Sequence, residues 1–209
     1  MKKIILASSS PRRKALLHQI GLSFETIKPE VEEKLNPRLK PRGNAEQLSL
    51  KKALAVRDIL NSQSVNSKKR LGIRGNGGDG FIIIAADTFV VLDGEIIGKP
   101  GDKKEAKKIL LKLSGRGHIV VTGFTILDTT SKKSITKSIV TKVYFNKLSL
   151  SEIDSYIKTG EPMGKAGSYG MQGIGAVFIE KIEGDPFNVI GLPLQIVCEE
   201  LKKFGVRFL

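Results

Sequence analysis

A carboxylate at the end of a continuous apolar run is the residue of this chain most in need of a partner. Phe81-Ile82-Ile83-Ile84-Ala85-Ala86 leads straight into Asp87-Thr88, and a strand that is apolar at every position is buried on both faces. Open α/β sheets take their ligands at the carboxyl ends of such strands. An aspartate emerging there requires a cation, a hydrogen-bond donor or a metal, unless Asp87-Thr88 simply caps a helix or closes a turn. The matching cationic feature is Ser8-Ser9-Ser10-Pro11-Arg12-Arg13, which follows the apolar run Ile4-Ile5-Leu6-Ala7. Ser9 or Ser10 can cap a helix that Pro11 opens and Gly21 ends. The free amides of its first turn, with Arg12 and Arg13 beside them, form a place for phosphate oxygens. A capped surface helix with a basic first turn is the simpler alternative, although the helix dipole favours acidic residues there.

Three further groups can complete such a site. On a helix from Ala45 to about Leu60, the residues Leu48, Lys52, Ala55, Val56 and Ile59 share one stripe. That stripe sets a lysine among core-facing residues, where it must snorkel outward or meet an anion. Lys99 follows Asp87 through a hairpin at Asp93-Gly94 and can return to the same edge. Glu30, Glu32 and Glu33 precede the helix; one of them can join Asp87 on a divalent cation, or all three can form a solvated acidic turn. Lys165-Ala166-Gly167-Ser168-Tyr169-Gly170-Met171-Gln172-Gly173-Ile174-Gly175 either connects two elements or lets backbone approach a flat ligand, with Gln172 offering one acceptor and two donors to a base edge. Two glycine-rich stretches mislead. Gly75-Asn76-Gly77-Gly78-Asp79-Gly80 spells a dinucleotide fingerprint but has a polar loop before it and a buried strand after it. Gly94 to Pro100 lacks one residue of a Walker loop and has proline where a hydroxyl should hold magnesium.

The elements that must position these groups alternate. Strands are expected at Ile4–Ala7, Phe24–Ile27, Phe81–Ala86 and Ala176–Ile182. Two long extended segments, Ile119–Asp128 and Ser134–Asn146, should pair antiparallel. Helices are expected after Pro11, from Asn44 as an N-cap with a capping box, after Asp102, over Ser151–Thr159 and over Pro193–Phe204. Residues 61–80 read as an exposed basic, Gly-rich loop. The pattern specifies an α/β protein with a mixed sheet, and 209 residues suffice for one domain spanning 1–209. A single cysteine, Cys198, excludes a disulfide framework, and with only two histidines any metal would be hard and oxygen-bound. Only four apolar residues separate Lys3 from the serines and no run reaches membrane length, so no membrane association and a cytoplasmic location are expected. The net charge of +14 attracts polyanions. Its lysines are spread along the chain without aromatic interleaving, which speaks against nucleic acid.

Taken together, these clusters resemble the Maf family of nucleoside triphosphate pyrophosphatases, also described as septum-formation inhibitors. The likeness runs through nearly the whole chain. It rests on the Ser-x-Ser-Pro-Arg-Arg opening, Glu33, Lys52 before Ala53, Ala86-Asp87-Thr88, Gly94 to Pro100, Leu113-Ser114-Gly115, Thr122-Gly123, Gly160-Glu161-Pro162, Lys165-Ala166-Gly167, Gln172-Gly173 and Gly191-Leu192-Pro193. The resemblance implies a mixed, twisted α/β sheet in two lobes with a central cleft, a homodimer in many members, and metal-dependent cleavage of a nucleotide between its α and β phosphates. It makes Asp87 the proton acceptor, and it gives substrate selection to Arg12, Thr88 and Gln172. Glu33, Lys52 and Lys99 join Asp87 as reaction-centre groups, Arg13 with Ser8 and Ser10 completes the substrate-binding opening, and Glu33 with Asp87 would hold Mg or Mn. Arg12, Thr88 and Gln172 look like the branch acting on dTTP and UTP rather than the branch handling methylated guanine nucleotides. The chain departs from the family pattern in its longer, more basic 61–80 segment and at Met163-Gly164, where a pair containing Asp is commoner. The competing expectation is a non-enzymatic basic protein acting in cell division or on nucleic acid, which would have no use for Asp87.

Overall fold

The computed structural model describes residues 2–62 and 80–207. Most of the expected 61–80 loop, including the false dinucleotide fingerprint up to Asp79, therefore lies outside the described residues. The strands are β1 (Lys3–Ala7), β2 (Glu25–Thr26), β3 (Phe81–Leu92), β4 (Glu95–Ile97), β5 (Gly117–Asp128), β6 (Ser134–Phe145) and β7 (Ile179–Glu183). The helices are α1 (Pro11–Gln19), α2 (Pro41–Ser62), α3 (Lys103–Leu113), α4 (Leu150–Lys158), α5 (Pro186–Ile190) and α6 (Leu194–Lys203), with 3-10 turns at Ala166–Ser168 and Ile174–Phe178. All seven strands form one mixed sheet, in the order β2-β1-β3-β5-β6-β7 with β4 added beside β3. β1 is parallel to β2 and β3, and the remaining pairs are antiparallel.

β3 creates the opening. One of its edges is covered by β5 from Ile82 to Val91. The other is shared: β1 pairs with Phe81–Ala85, and β4 returns to pair with Val90–Leu92. Between these partners lies the stretch 86–89, which contains Asp87 and Thr88. Alternation along the strand then sends Ile83, Ala85 and Asp87 toward one face, and Ile82, Ile84, Ala86 and Thr88 toward the other.

The two faces are covered differently. Ile83 and Ala85 pack with Ile5 and Ala7 against Ala53, Val56 and Leu60 of α2. On the opposite face Ile82, Ile84 and Ala86 join Phe124 and Ile126 beneath α1 and α6, with Leu16, Leu17, Val197 and Leu201 all fully buried. A second core on that face gathers Val90, Val120 and Val143 with Leu110 of α3 and Ile153 of α4. Two cores on one sheet are the two lobes, and Thr88 falls between Ala86 of the first and Val90 of the second.

Several boundaries differ from expectation for identifiable reasons. Asp87 is not at a strand end, because β5 continues to pair past it and carries β3 on to Leu92; this disposes of the cap or turn alternative. α2 starts at Pro41, so Asn44 lies inside the helix rather than capping it. Its buried amide accepts from the Asn36 amide at 2.7 Å and donates to the carbonyls of Asn36 and Leu39. The loop that carries Glu33 is thereby fastened to α2. A full capping box occurs instead at Ser149 and Glu152, opening α4. The segment 174–178 is a 3-10 turn, so β7 begins only at Ile179. Among the described residues no helix is long and apolar enough to cross a membrane.

Candidate active site

The gap on β3 opens into a cavity of about 420 Å³ lined by residues of both lobes. On the α2 face, Lys52 neither snorkels nor stays unpaired. Its Nζ lies 2.5 Å from Asp87 Oδ1 and 2.6 Å from Glu33 Oε1, and its side chain is only 7 % exposed. Lys99 reaches the other Glu33 oxygen, Oε2, at 3.2 Å. Burial alone would raise the Glu33 pKa, but the hydrogen bond and charge of Lys52, followed by Lys99, hold it down at about 2. Four alternating charges thus run from Lys99 through Glu33 and Lys52 to Asp87.

Arg13 organises the opposite face. Its Nε donates to the Gly191 carbonyl at 2.8 Å, Nη1 to Ser8 Oγ at 3.3 Å and Nη2 to Thr88 Oγ1 at 3.0 Å. Burial lowers the Arg13 pKa and Asp87 opposes that effect, with smaller contributions from Arg12 and Glu33. Gly191 permits this approach: a Cβ there would sit 3.3 Å from Thr88 Oγ1 and 3.5 Å from Arg13 Nε, on a backbone at φ +121°. Thr88 is held in turn by Thr122 at 3.0 Å, and Thr122 donates to the Asn188 carbonyl at 2.9 Å. Ser10 is the cap of α1, accepting from the Arg13 amide at 3.5 Å, while the Ser10 amide donates to Ser8 Oγ. The turn therefore folds around Ser8, and Arg12 is left half-buried in the cavity wall with burial lowering its pKa.

Residues 164–166 and 169–171 make the third wall. Tyr169 is fixed there by the buried His118, whose Nε2 lies 2.7 Å from its hydroxyl, and by the edge of Phe145. Burial depresses the His118 pKa to about 4, so the ring is neutral at physiological pH. Gly164, one of the two departures from the family pattern, lines the cavity. Gln172 does not: it is exposed, one residue beyond the lining Met171. The structure therefore brings together Ser8, Ser10, Arg12, Arg13, Glu33, Lys52, Asp87, Thr88 and Lys99, and leaves Gln172 at the rim.

Sequence reasoning missed the supports. Thr122 and Gly191 were visible only as parts of Thr122-Gly123 and Gly191-Leu192-Pro193, and Asn188 not at all, because they act through backbone atoms or short hydroxyl links that leave no charge pattern to find. Glu161 was visible only as part of Gly160-Glu161-Pro162, yet its carboxylate accepts from the amides of Ile174 at 2.8 Å and Gly175 at 3.1 Å.

Among the described residues no group of three or more His, Cys, Asp or Glu is placed to hold a metal. The carboxylates that line the cavity and could hold one are Glu33 and Asp87. Hard oxygens in that number suit magnesium, which takes one or two carboxylates and completes its shell with substrate phosphate and water.

The chain is thus a two-lobed mixed α/β protein with a cation-rich cleft and a carboxylate pair at its floor. Residues 3–204 match the family described as Maf-like protein, and the chain belongs to that family. It is 44 % identical over 208 residues, covering 100 % of this chain and 99 % of the relative, to the dTTP/UTP pyrophosphatase of Dictyoglomus turgidum. The dTTP/UTP pyrophosphatase of Alkaliphilus oremlandii is 46 % identical over 194 residues, 93 % of this chain and 92 % of that protein. Among solved structures, the Staphylococcus aureus Ham1 protein is similar with a TM-score of 0.42 and 15 % identity, covering 69 % of this chain and 72 % of that one.

Proposed function

We propose that this protein hydrolyses nucleoside triphosphates to the monophosphate and pyrophosphate, with dTTP and UTP as preferred substrates and in the cytoplasm. The observation that carries this reading is the sharing of one buried lysine by Asp87 and Glu33, in the same cavity as an arginine already locked in place by Ser8, Thr88 and Gly191. A carboxylate fixed beside ammonium and guanidinium groups can take a proton from water while those cations receive charge on the leaving pyrophosphate. Asp87 is the proton acceptor, and Lys52 holds its Oδ1 in position. Arg13 is preorganised, since three of its donors are spent on the protein and its plane cannot rotate. Arg12 and Lys99 add positive charge to the cavity lining. Glu33 and Asp87 are the residues that would hold Mg or Mn, which when bound supplies positive charge for the phosphates.

Substrate preference is supported by the names of the relatives and by the hydrogen-bonding edges of the bases. Thymine and uracil present carbonyl, N–H, carbonyl, and cytosine replaces part of that pattern with an amine. A site built to pair the first pattern leaves buried groups unpaired with cytosine, at about 1–3 kcal/mol each. The direct test is pyrophosphate release from dTTP, UTP, CTP, ATP and GTP, with magnesium or manganese and with a chelator. The expected profile is led by dTTP and UTP and is abolished by the chelator. A profile led by GTP would refute the pyrimidine preference, and turnover unaffected by chelation would refute the metal.

A further inference from the structure

The nucleobase needs a reader, and Gln172 is exposed outside the cavity. Lys165 is inside it. We propose that Lys165 reads the carbonyl edge of the pyrimidine and that Glu161 is the positioning residue that holds it there; this rests on the pyrophosphatase reading above.

Lys165 stands apart from the reaction centre. The charges that act on it are Arg12 and Glu161, not the Asp87–Glu33 pair, and burial is the main influence on its ammonium. Its Nζ donates to the backbone carbonyl of Glu161, which leaves two of its three N–H groups for a ligand. The apolar part of the cavity lining includes Val90, Val120, Met171, Val189 and Ile190, which suit the face of a ring. An ammonium has donors and no acceptor. It therefore matches a carbonyl of thymine or uracil and meets the exocyclic amine of cytosine donor to donor.

Glu161 fixes this wall from behind. Its carboxylate accepts from the amides of Ile174 and Gly175 and from the Tyr156 hydroxyl at 3.1 Å, while its own carbonyl receives Lys165. The glycines of the segment exist to allow this grip. A Cβ on Gly173 would stand 2.5 Å from Glu161 Oε1, one on Gly175 2.6 Å from the Tyr156 hydroxyl, and one on Gly170 2.9 Å from Lys165 Cε. The wall is further tied to the Lys99 segment, because the Gly167 amide donates to the Gly98 carbonyl at 3.2 Å.

The test compares kcat/KM for dTTP, UTP and CTP in the intact protein and in Lys165→Met, Glu161→Gln, Gln172→Ala and Lys181→Met, with melting temperatures recorded for each. Lys181 is exposed on β7 and paired with Glu183, so its variant controls for loss of one positive charge. For Lys165→Met, dTTP and UTP should fall about thirtyfold and CTP less than threefold, so that the ratio of dTTP to CTP falls about tenfold or more. Glu161→Gln keeps the shape and should lower the same ratio by a smaller factor, mainly through KM, with Lys165 still present. An equal loss for all three nucleotides in Lys165→Met would assign the lysine to phosphate and overturn the inference. So would a ratio that collapses in Gln172→Ala but not in Lys165→Met. If Glu161→Gln left the ratio intact, the positioning role would be overturned. A wild-type protein that releases no pyrophosphate from dTTP or UTP overturns the pyrophosphatase reading itself, whereas active wild type with an unmoved ratio overturns this inference alone.

Discussion

Asp87 is 7 % exposed and meets Lys52 at 2.5 Å, so its carboxylate is held in place by a buried partner. Removing one member of a buried pair normally strands the other. Here Lys52 has a second carboxylate, Glu33, at 2.6 Å. Asp87→Asn should therefore fold, keep a melting temperature near that of the wild type, and lose turnover by about a hundredfold or more, because the amide cannot accept the proton. A folded variant with near-normal kcat would remove Asp87 from the chemistry. These same residues were legible in sequence because each breaks a local rule: an aspartate at the end of an apolar run, a lysine on a buried helix stripe, arginines at the positive end of a helix. Glu33 could not be told from Glu30 and Glu32 by its neighbours in sequence. The tether from Asn44 to Asn36 and Leu39 brings that loop back to α2.

At the scale of elements, the distance between α2 and the sheet decides whether Lys52 can reach β3 at all. Gly123 of β5 stands opposite Asp87 in the β3–β5 register. A Cβ there would lie 2.3 Å from the carbonyl carbon and oxygen of Ala45 and 2.6 Å from the Glu46 amide nitrogen. These are backbone atoms and cannot turn aside. Gly123→Ala should push α2 off the sheet, cost about 1–3 kcal/mol or more in urea unfolding, and reduce turnover although no site residue is altered. Unchanged stability and activity would mean that α2 sits more loosely than this contact requires. The apolar run at Phe81, the Asp102 cap of α3 and the paired extended segments around the Thr129–Lys133 turn were legible from local pattern alone. The extent of β3 was not, because its continuation past Asp87 depends on β5, which is remote in sequence. The 3-10 turn at Ile174–Phe178 was hidden for the same reason, since Glu161 shapes it from thirteen residues upstream of Ile174.

The molecule as a whole places two cores on one face of a continuous sheet, leaves a cleft between them, and spans both with α2 on the other face. Its +14 charge attracts polyanions without selecting among them. In the proposed reaction selection and chemistry belong to the wall residues: water attacks the α phosphorus, and pyrophosphate leaves. Hydrolysis of dTTP in water enriched in oxygen-18, with magnesium and with products resolved by mass spectrometry, tests that claim most directly. The expected result is dTMP carrying one heavy oxygen and pyrophosphate carrying none. Label in the pyrophosphate, or release of dTDP and inorganic phosphate, would contradict it.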